Sequence, residues 1–225
     1  MSQGSRDRQV ASPKCKGLVY HPLYFGVQRQ VDLLAAIALV VRGAPLFRPV
    51  MPRTGKPFSV AMTNCGPLGW VSDRAGYRYQ PLHPVTGAPW PPIPRLLLDL
   101  WGDVANGAAA PEACLVNIYT ASARMGSHQD RDEADFSAPV VSVSLGEDAV
   151  FHAGGAKRTD PKSRMTLRSG DVLVLGGEAR LAFHGIDRVL PGTSQLDLSA
   201  LHTNCRRVNL TLRRVSPVTT STSTD

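Results

Sequence analysis

Short apolar runs bounded by turn residues fill the C-terminal half of this chain: CLVNIYT (114–120), PVVSVSL (139–145), AVFHA (149–153), RMTLR (164–168), DVLVLG (171–176), RLAFHGI (180–186) and RRVNLTLR (206–213). Runs of this length and texture predict strands, and their even spacing predicts an antiparallel sandwich or barrel. In VVSVSL, Val141, Val143 and Leu145 share one face while Ser142 and Ser144 share the other, as a half-buried strand requires. The last run is stricter still. Val208, Leu210 and Leu212 form one purely aliphatic face, and Arg207, Asn209, Thr211 and Arg213 form the opposite one.

The N-terminal half reads differently. QVDLLAAIALVVRG (30–43) has the length, helix formers and closing Gly of an α-helix, and PRLLLDLWGDVANG (94–107) opens with Pro and closes on Gly. Between them, GYRYQPLHPVTGAPWPPIP (76–94) is so rich in Pro and Gly that it predicts a loop rather than a sheet interior, leaving Tyr77, Tyr79 and Trp90 in need of partners. The expected fold class is therefore mainly β with flanking helices (α+β): a small N-terminal α/β flank before a C-terminal antiparallel double sheet. No internal repeat is visible. Residues 1–16 are polar and expected to be mobile, and the low-complexity tail from 216 to 225 is expected to be disordered.

Composition narrows the class of protein. A chain of 225 residues suits one domain with a sizeable core. Twenty-five Lys and Arg against eighteen Asp and Glu give a net charge of +7, so a polyanion is a plausible partner, although solubility alone explains an excess of this size. Cys15, Cys65, Cys114 and Cys205 stand singly, which fits the reducing cytoplasm better than a disulfide scaffold. The apolar run around Leu33–Val41 falls far short of the ~20 residues of a membrane helix. An unexported protein with no membrane segment, acting as a monomer, is expected.

The candidate chemistry begins at MGSHQDRDEADF (125–136), where one histidine stands among Asp130, Asp132, Glu133 and Asp135. In an extended segment His128 and Asp130 point to the same side, so both can reach one ion. A third ligand is needed, and His184 in the run RLAFHGID supplies one; two His and a carboxylate leave positions open in the manner of non-haem Fe(II) enzymes that use O2. A His-x-Asp pair also arises in ordinary surface turns, and spacing does not select His184 over His83, His152 or His202. The arginine-bearing face adds weight. At ~3.3 Å per residue the backbones of Arg207 and Arg213 lie ~20 Å apart. Their side chains, leaning together, leave a gap that a small dicarboxylate would fill, gripped by planar guanidinium forks. A basic edge strand protected against aggregation is the competing explanation. Iron with open positions beside a dicarboxylate clamp specifies a 2-oxoglutarate-dependent oxygenase.

At this point the sequence resembles the AlkB family of nucleic-acid demethylases over roughly Gly17–Arg213. The resemblance is carried by SVAMTNCGPLGW, GYRYQPLHPVTGAPWPP, SHQDRDEADFSAPVVSVSLG, GGAKRTDP, SGDVLVLGGEARLAFHGI and RVNLTLR. It implies one domain over 17–215, with a nucleotide-recognition lid at about 50–94 and a double-stranded β-helix (jelly-roll) core at about 113–215. It further implies Fe(II) held by His128, Asp130 and His184. The same resemblance implies 2-oxoglutarate bound by Asn117, Tyr119, Arg207, Asn209 and Arg213, with Arg207 and Tyr119 on the distal carboxylate and Arg213 and Asn117 on the one beside the keto group.

For the substrate, the resemblance implies that Met62, Trp70, Tyr77 and Tyr79 line the groove taking a flipped base, whose lost stacking the aromatic walls replace. Asp132, with Glu133 as a weaker candidate, would face the cationic N-methylated base, and Arg158 would be a substrate-side arginine. The implied activity is oxidative removal of the methyl group of 1-methyladenine and 3-methylcytosine in DNA with O2, releasing formaldehyde, succinate and CO2. The same chemistry on tRNA or other RNA, or a non-catalytic zinc-bearing nucleic-acid-binding module, stand as alternatives. The chain departs from the family at Leu175, where bacterial relatives carry an aromatic residue near the iron; this implies a reshaped cavity wall.

Overall fold

The computed structural model describes residues 15–202 and 204–218. The expected mobile terminus and disordered tail thus fall outside the described residues except at 15–16 and 216–218. Twelve strands and two helices follow one another in the described chain as β1 (Leu18–His21), α1 (Val27–Gly43), β2 (Ala61–Cys65), β3 (Gly69–Asp73), β4 (Gly76–Gln80), α2 (Arg95–Val104), β5 (Ala113–Tyr119), β6 (Met125–His128), β7 (Val140–Gly146), β8 (Ala149–Ala153), β9 (Ser163–Leu167), β10 (Val172–Leu175), β11 (His184–Val189) and β12 (Arg207–Arg213). A major sheet has the order β1-β10-β7-β12-β5-β2, a minor sheet the order β6-β11-β8-β9, and β3 with β4 forms a separate hairpin. All pairings are antiparallel. This is the mainly β jelly-roll class with flanking helices.

The alternation of β12 decides how the layers stack. Its aliphatic face, Val208, Leu210 and Leu212, joins Val141, Val143 and Leu145 of β7 against Leu33, Leu34 and Ile37 of α1 and Leu97, Leu100 and Trp101 of α2. Burying such side chains stabilises by ~1.5–3 kcal/mol each, so this packing commits the polar face of β12 to the opposite side, between the two sheets. That inner space is otherwise lined by a second apolar cluster, which includes Leu115, Phe151, Leu173, Leu175 and Ile186.

Four expectations need correction. The strand β12 is central, paired with β5 and β7 over its whole length, so the basic edge strand is excluded. The Pro-rich segment opens with a true strand, since Gly76–Gln80 pairs with Gly69–Asp73 before the prolines take over. The run RLAFHGI becomes a strand only from His184, because Gly177–Ala179 makes a 3-10 turn and Arg180 continues out of it. Helix α2 ends at Val104 rather than at Gly107: Asn106 and Gly107 both take positive φ, 51° and 76°, and turn the chain away.

The expected N-terminal flank is also not a separate layer. β1 and β2 close the two edges of the major sheet, so the lid range 50–94 contains one strand of the core, Ala61–Cys65, as well as the hairpin. Trp90 finds its place under that hairpin. Its Nε1 donates to Gln80 O at 2.8 Å, and a Cβ on Gly69 would come within 2.4 Å of its ring, which is why the strand above it needs glycine there.

Candidate active site

The register of the minor sheet brings the metal-ligand candidates together. His184 on β11 lies directly opposite His128 on β6, with ring centroids 4.5 Å apart. Gly185 permits this close pairing, because a Cβ there would meet Met125 O at 2.6 Å and the His152 ring at 2.9 Å. The strand β6 ends at His128, so Asp130 sits in the following loop rather than on the extended segment expected. Its carboxylate nonetheless faces both rings, Oδ1 at 3.6 Å from His128 Nε2 and Oδ2 at 3.6 Å from His184 Nε2. These separations are too long for hydrogen bonds and suit donor atoms arranged around a cation. Among the described residues, this is the one cluster of three or more His, Cys, Asp or Glu side chains with metal-ligand spacing.

Two backbone carbonyls settle which imidazole nitrogen is free. His128 Nδ1 lies 2.9 Å from Gly126 O and His184 Nδ1 lies 2.9 Å from Ala182 O. A carbonyl only accepts, so each Nδ1 carries the proton and each Nε2 presents its lone pair to the shared space. Burial lowers the His184 pKa to about 4 against the pull of Asp130, so this ring is neutral at neutral pH. Burial alone would raise the Asp130 carboxyl, but Arg213, the two imidazoles and Arg180 outweigh it and hold it well below the usual carboxylate range. Two neutral nitrogens and one carboxylate are the donor set that suits Fe(II) with open positions.

The other histidines weighed against His184 are occupied elsewhere or exposed. His83 Nε2 lies 2.7 Å from Pro45 O while its Nδ1 accepts from the Val85 and Thr86 N–H groups, and His152 pairs with Asp187 at 2.7 Å. His202 is exposed at the surface.

Beside the triad, a cavity of about 710 Å3 runs between the sheets to the surface under the β3–β4 hairpin. That volume is within the ~300–1,000 Å3 of small-molecule sites. Arg207, Asn209, Thr211 and Arg213 of β12, with Asn117 and Tyr119 of β5, form one wall. The register explains the grouping, since Arg207 pairs with Tyr119 and Asn209 with Asn117. Ser142 and Ser144 of β7 face the same interior and not solvent: Ser144 Oγ accepts from Arg207 Nη2 at 2.8 Å and Ser142 Oγ from Asn209 Nδ2 at 2.7 Å.

Both arginines are buried, and in each the Nε has no partner. Buried polar groups are nearly always satisfied, so two orphaned guanidinium N–H donors on one cavity wall are what an anionic ligand would complete. Burial lowers the Arg207 pKa, which makes an anion more welcome there. Arg213 differs from the free fork expected. Its Nη2 donates to Asp130 Oδ1 at 2.8 Å and its Nη1 donates to Glu133 Oε1 at 3.1 Å and to Tyr79 OH at 2.9 Å, so Nε is its one nitrogen with no partner. The donor set and the arginine wall therefore fit an iron ion and a short dicarboxylate.

The substrate-side candidates divide into two groups. Met62, Trp70, Tyr77, Asp132 and Arg158 line the cavity, together with Phe58 and Phe183. Trp70 stacks on Tyr77 at 5.7 Å, and its Nε1 donates to Asp132 Oδ2 at 2.8 Å, which holds the acid at the cavity mouth. Arg158 lies over the Phe183 ring at 4.8 Å and donates to Ser127 O at 3.0 Å. Tyr79 and Glu133 do not line the cavity. Both carboxylate oxygens of Glu133 are engaged, Oε2 by Arg180 Nη2 at 3.1 Å and Oε1 by Arg213 and the Tyr79 hydroxyl. Leu175 closes an inner wall at the end of β10.

Sequence reasoning missed Arg180, whose guanidinium also donates to Asp130 O at 2.7 Å and to Ala138 O at 3.0 Å. Its only signal in the sequence was an arginine within an otherwise apolar run. Phe58 and Phe183 were missed as well, since nothing in their local pattern separates a cavity wall from core.

Comparison with known proteins agrees with this geometry. Residues 17–213 match the family model described as the 2OG-Fe(II) oxygenase superfamily. The chain is 51% identical over 193 residues to an alpha-ketoglutarate-dependent dioxygenase AlkB homolog of Caulobacter vibrioides, covering 86% of this chain and 85% of that one. It is 45% identical over 172 residues to the alpha-ketoglutarate-dependent dioxygenase AlkB of Escherichia coli, covering 75% and 77%. The solved structure of OsALKBH1 superposes with a TM-score of 0.76 at 31% identity, over 92% of this chain and 99% of that one. With a family model spanning nearly all the described residues and relatives of this identity and coverage, the chain belongs to the AlkB family of the 2OG-Fe(II) oxygenase superfamily.

Proposed function

We propose that this protein reverses alkylation damage by oxidative demethylation of 1-methyladenine and 3-methylcytosine in DNA. The observation that carries the reading is the shared cavity: a His-Asp-His triad and two unpartnered arginine N–H donors at its base, a tryptophan and an acid at its mouth. When bound, Fe(II), 2-oxoglutarate and O2 supply the oxidation of the N-methyl carbon, the keto acid leaving as succinate and CO2 and the hydroxymethyl group as formaldehyde.

In this proposal His128, Asp130 and His184 ligate the iron through Nε2, a carboxylate oxygen and Nε2. Arg207 and Tyr119 take the distal carboxylate of 2-oxoglutarate, and Arg213 Nε with Asn117 takes the one beside the keto group. Asn209 supports both arginines' strand from its hydrogen bonds to Ser142 and Val143 O. Met62, Trp70 and Tyr77 receive the extruded base, the indole replacing the stacking it has lost. Asp132, fixed by Trp70 Nε1, balances the positive charge of the methylated ring and accepts from its exocyclic amine, while Arg158 lies on the substrate side. A monomer in the cytoplasm is part of the proposal, supported by a site complete within one chain and by four free thiols.

The test is formaldehyde release and methyl loss on matched methylated DNA and RNA oligonucleotides, with and without 2-oxoglutarate and Fe(II). Turnover that requires both additions, is greater on DNA, and disappears in His128→Ala, Asp130→Ala and His184→Ala supports the reading. Near-normal turnover in those variants overturns the ligand assignment, and greater turnover on RNA overturns the choice of polymer.

A further inference from the structure

Behind the triad lies a closed circuit of buried charges. Arg213 Nη2 donates to the Asp130 carboxylate at 2.8 Å, and its Nη1 donates to Glu133 Oε1 at 3.1 Å. Arg180 Nη2 donates to Glu133 Oε2 at 3.1 Å, and its Nη1 returns to the backbone carbonyl of Asp130 at 2.7 Å. The circuit therefore grips one residue twice, by side chain and by main chain. Its four members come from the loop after β6, the 3-10 turn before β11 and the end of β12, and the Glu133 side chain is wholly excluded from solvent. Tyr79 of β4 joins it, accepting from Arg213 and donating to Glu133.

Two acids and two arginines in one dry space make a neutral set. Buried ion pairs of this kind are weak contributors to net stability compared with apolar packing, so their presence points to geometry rather than to stability. Glu133 is the one carboxylate of the circuit that accepts from both arginines. Without its charge, Arg213 would have Asp130 as its sole carboxylate partner, draw that carboxylate toward itself and turn its Nε away from the cavity wall. Arg180 would lose its carboxylate partner and keep only backbone acceptors, the carbonyls of Asp130 and Ala138.

We propose that Glu133, through Arg213 and Arg180, is a positioning residue that sets the side chain and main chain of Asp130 and aims Arg213 into the cavity, with Tyr79 tying this circuit to the β3–β4 hairpin. The inference rests on the reading of Asp130 as an iron ligand and Arg213 as a 2-oxoglutarate residue. It gives Glu133 a role with no contact to the base, in place of the substrate-side role that the family resemblance implied.

The experiment uses the full chain without oxygen, with Mn(II) standing in for iron. Mn(II) affinity is read by the loss of the free-ion electron paramagnetic resonance signal, and 2-oxoglutarate affinity by calorimetry on the Mn(II) protein. Glu133→Gln keeps the shape and removes the charge. It is expected to weaken both affinities by ~10–100-fold, the range seen when partners of metal ligands are removed, with an unchanged far-ultraviolet circular dichroism spectrum. Glu133→Asp restores the charge and is expected to recover part of the loss. Tyr79→Phe, which keeps the ring and removes only the hydroxyl, is expected to shift both affinities severalfold in the same direction and carries the test if Glu133→Gln does not fold. Folded Glu133→Gln or Tyr79→Phe protein that binds Mn(II) and 2-oxoglutarate as the unaltered protein does overturns the proposal. Failure of the unaltered protein to bind either ligand overturns instead the reading of the site on which it rests.

Discussion

Two Arg–Asp pairs in this molecule have the same shortest contact, 2.8 Å, and opposite significance. Arg213 and Asp130 meet in the interior with side chains 8% and 5% exposed, whereas Arg78 and Asp73 meet across the β3–β4 hairpin at 40% and 44%. The hairpin pair is the better hydrogen bonded of the two, with Arg78 Nη1 on Oδ1 at 3.0 Å and Nη2 on Oδ2 at 2.8 Å. Water and salt screen it, so an exposed pair of this kind contributes ~0–1 kcal/mol whatever its geometry. The interior pair lacks that screening. Losing one partner there unbalances a buried set of charges that water cannot reach, and one of the partners is a metal-ligand candidate. Distance alone does not rank ion pairs; solvent access and what else each charge must do rank them.

The largest expected effect that follows is for Asp130→Ala. It removes a proposed iron ligand and leaves two buried arginines, Arg213 and Arg180, with Glu133 as the one carboxylate between them, so formaldehyde release is expected to fall to background and the unliganded protein to lose ~3–5 kcal/mol in denaturant melts. Retained activity would separate Asp130 from the metal, and retained stability would show that Glu133 suffices for both arginines.

Arg207 sharpens the contrast from the other side, because it is fully buried with no acidic hydrogen-bond partner: its contacts are Ser144 Oγ and, at 3.4 Å, Glu147 O. Arg207→Met is expected to weaken 2-oxoglutarate binding by more than ~10-fold while leaving the unliganded fold as stable as before or more so, since an apolar side chain suits that environment better than a charge without an anion. Calorimetry and thermal melting measure the two halves of this expectation, and a large loss of stability would show that Arg207 serves the fold.

A pH titration is next in size. The folded pKa of His184, about 4, is depressed from the ordinary 6.5, so the unfolded chain binds the proton first. Its contribution to stability is present above pH 6.5 and is lost as pH falls from there toward 4, by up to ~3 kcal/mol in the metal-free protein. Chemical denaturation of His184→Gln should show a shallower loss over that window; an equal loss would locate the proton elsewhere. The smallest effect is for Asp73→Ala, which is expected to cost less than ~1 kcal/mol and to weaken further with added salt. A larger cost would show that the hairpin depends on the pair.

Legibility in the sequence followed the physics of each element. The alternation of Val208, Leu210 and Leu212 with Arg207, Asn209, Thr211 and Arg213 announced both the strand and its two faces, because a period of two needs no knowledge of the partner strands. The same pattern did not reveal that the polar face was buried. A strand with one apolar face looks alike whether the other meets water or a cavity, and Ser142 and Ser144 repeat that ambiguity on β7. Choosing His184 from among the histidines by residue pattern was equally out of reach, since the β6–β11 register that sets it against His128 spans more than fifty positions. The family motifs supplied that choice, and the register supplies its cause.

Glu133 and Arg180 mark the clearest boundary. Locally Glu133 is one acid in a crowded acidic loop, and Arg180 is a lone charge in an apolar run; neither has a periodicity that betrays burial. Only the meeting of that loop, the 3-10 turn and the end of β12 converts them into one neutral circuit.

By itself the sequence determined the mainly β class, the positions of most strands, the two helices and the residue types able to hold a metal and a dicarboxylate, because these depend on neighbours a few positions apart. The tertiary structure decided that Asp132 lines the cavity and that Glu133 is sealed behind the metal-ligand candidates. The same decision left Arg213 with one unpartnered nitrogen and Arg207 without an acidic hydrogen-bond partner. The physical reason is that the worth of a charge is set by the dielectric and the partners around it, and folding assembles both from segments far apart in the chain.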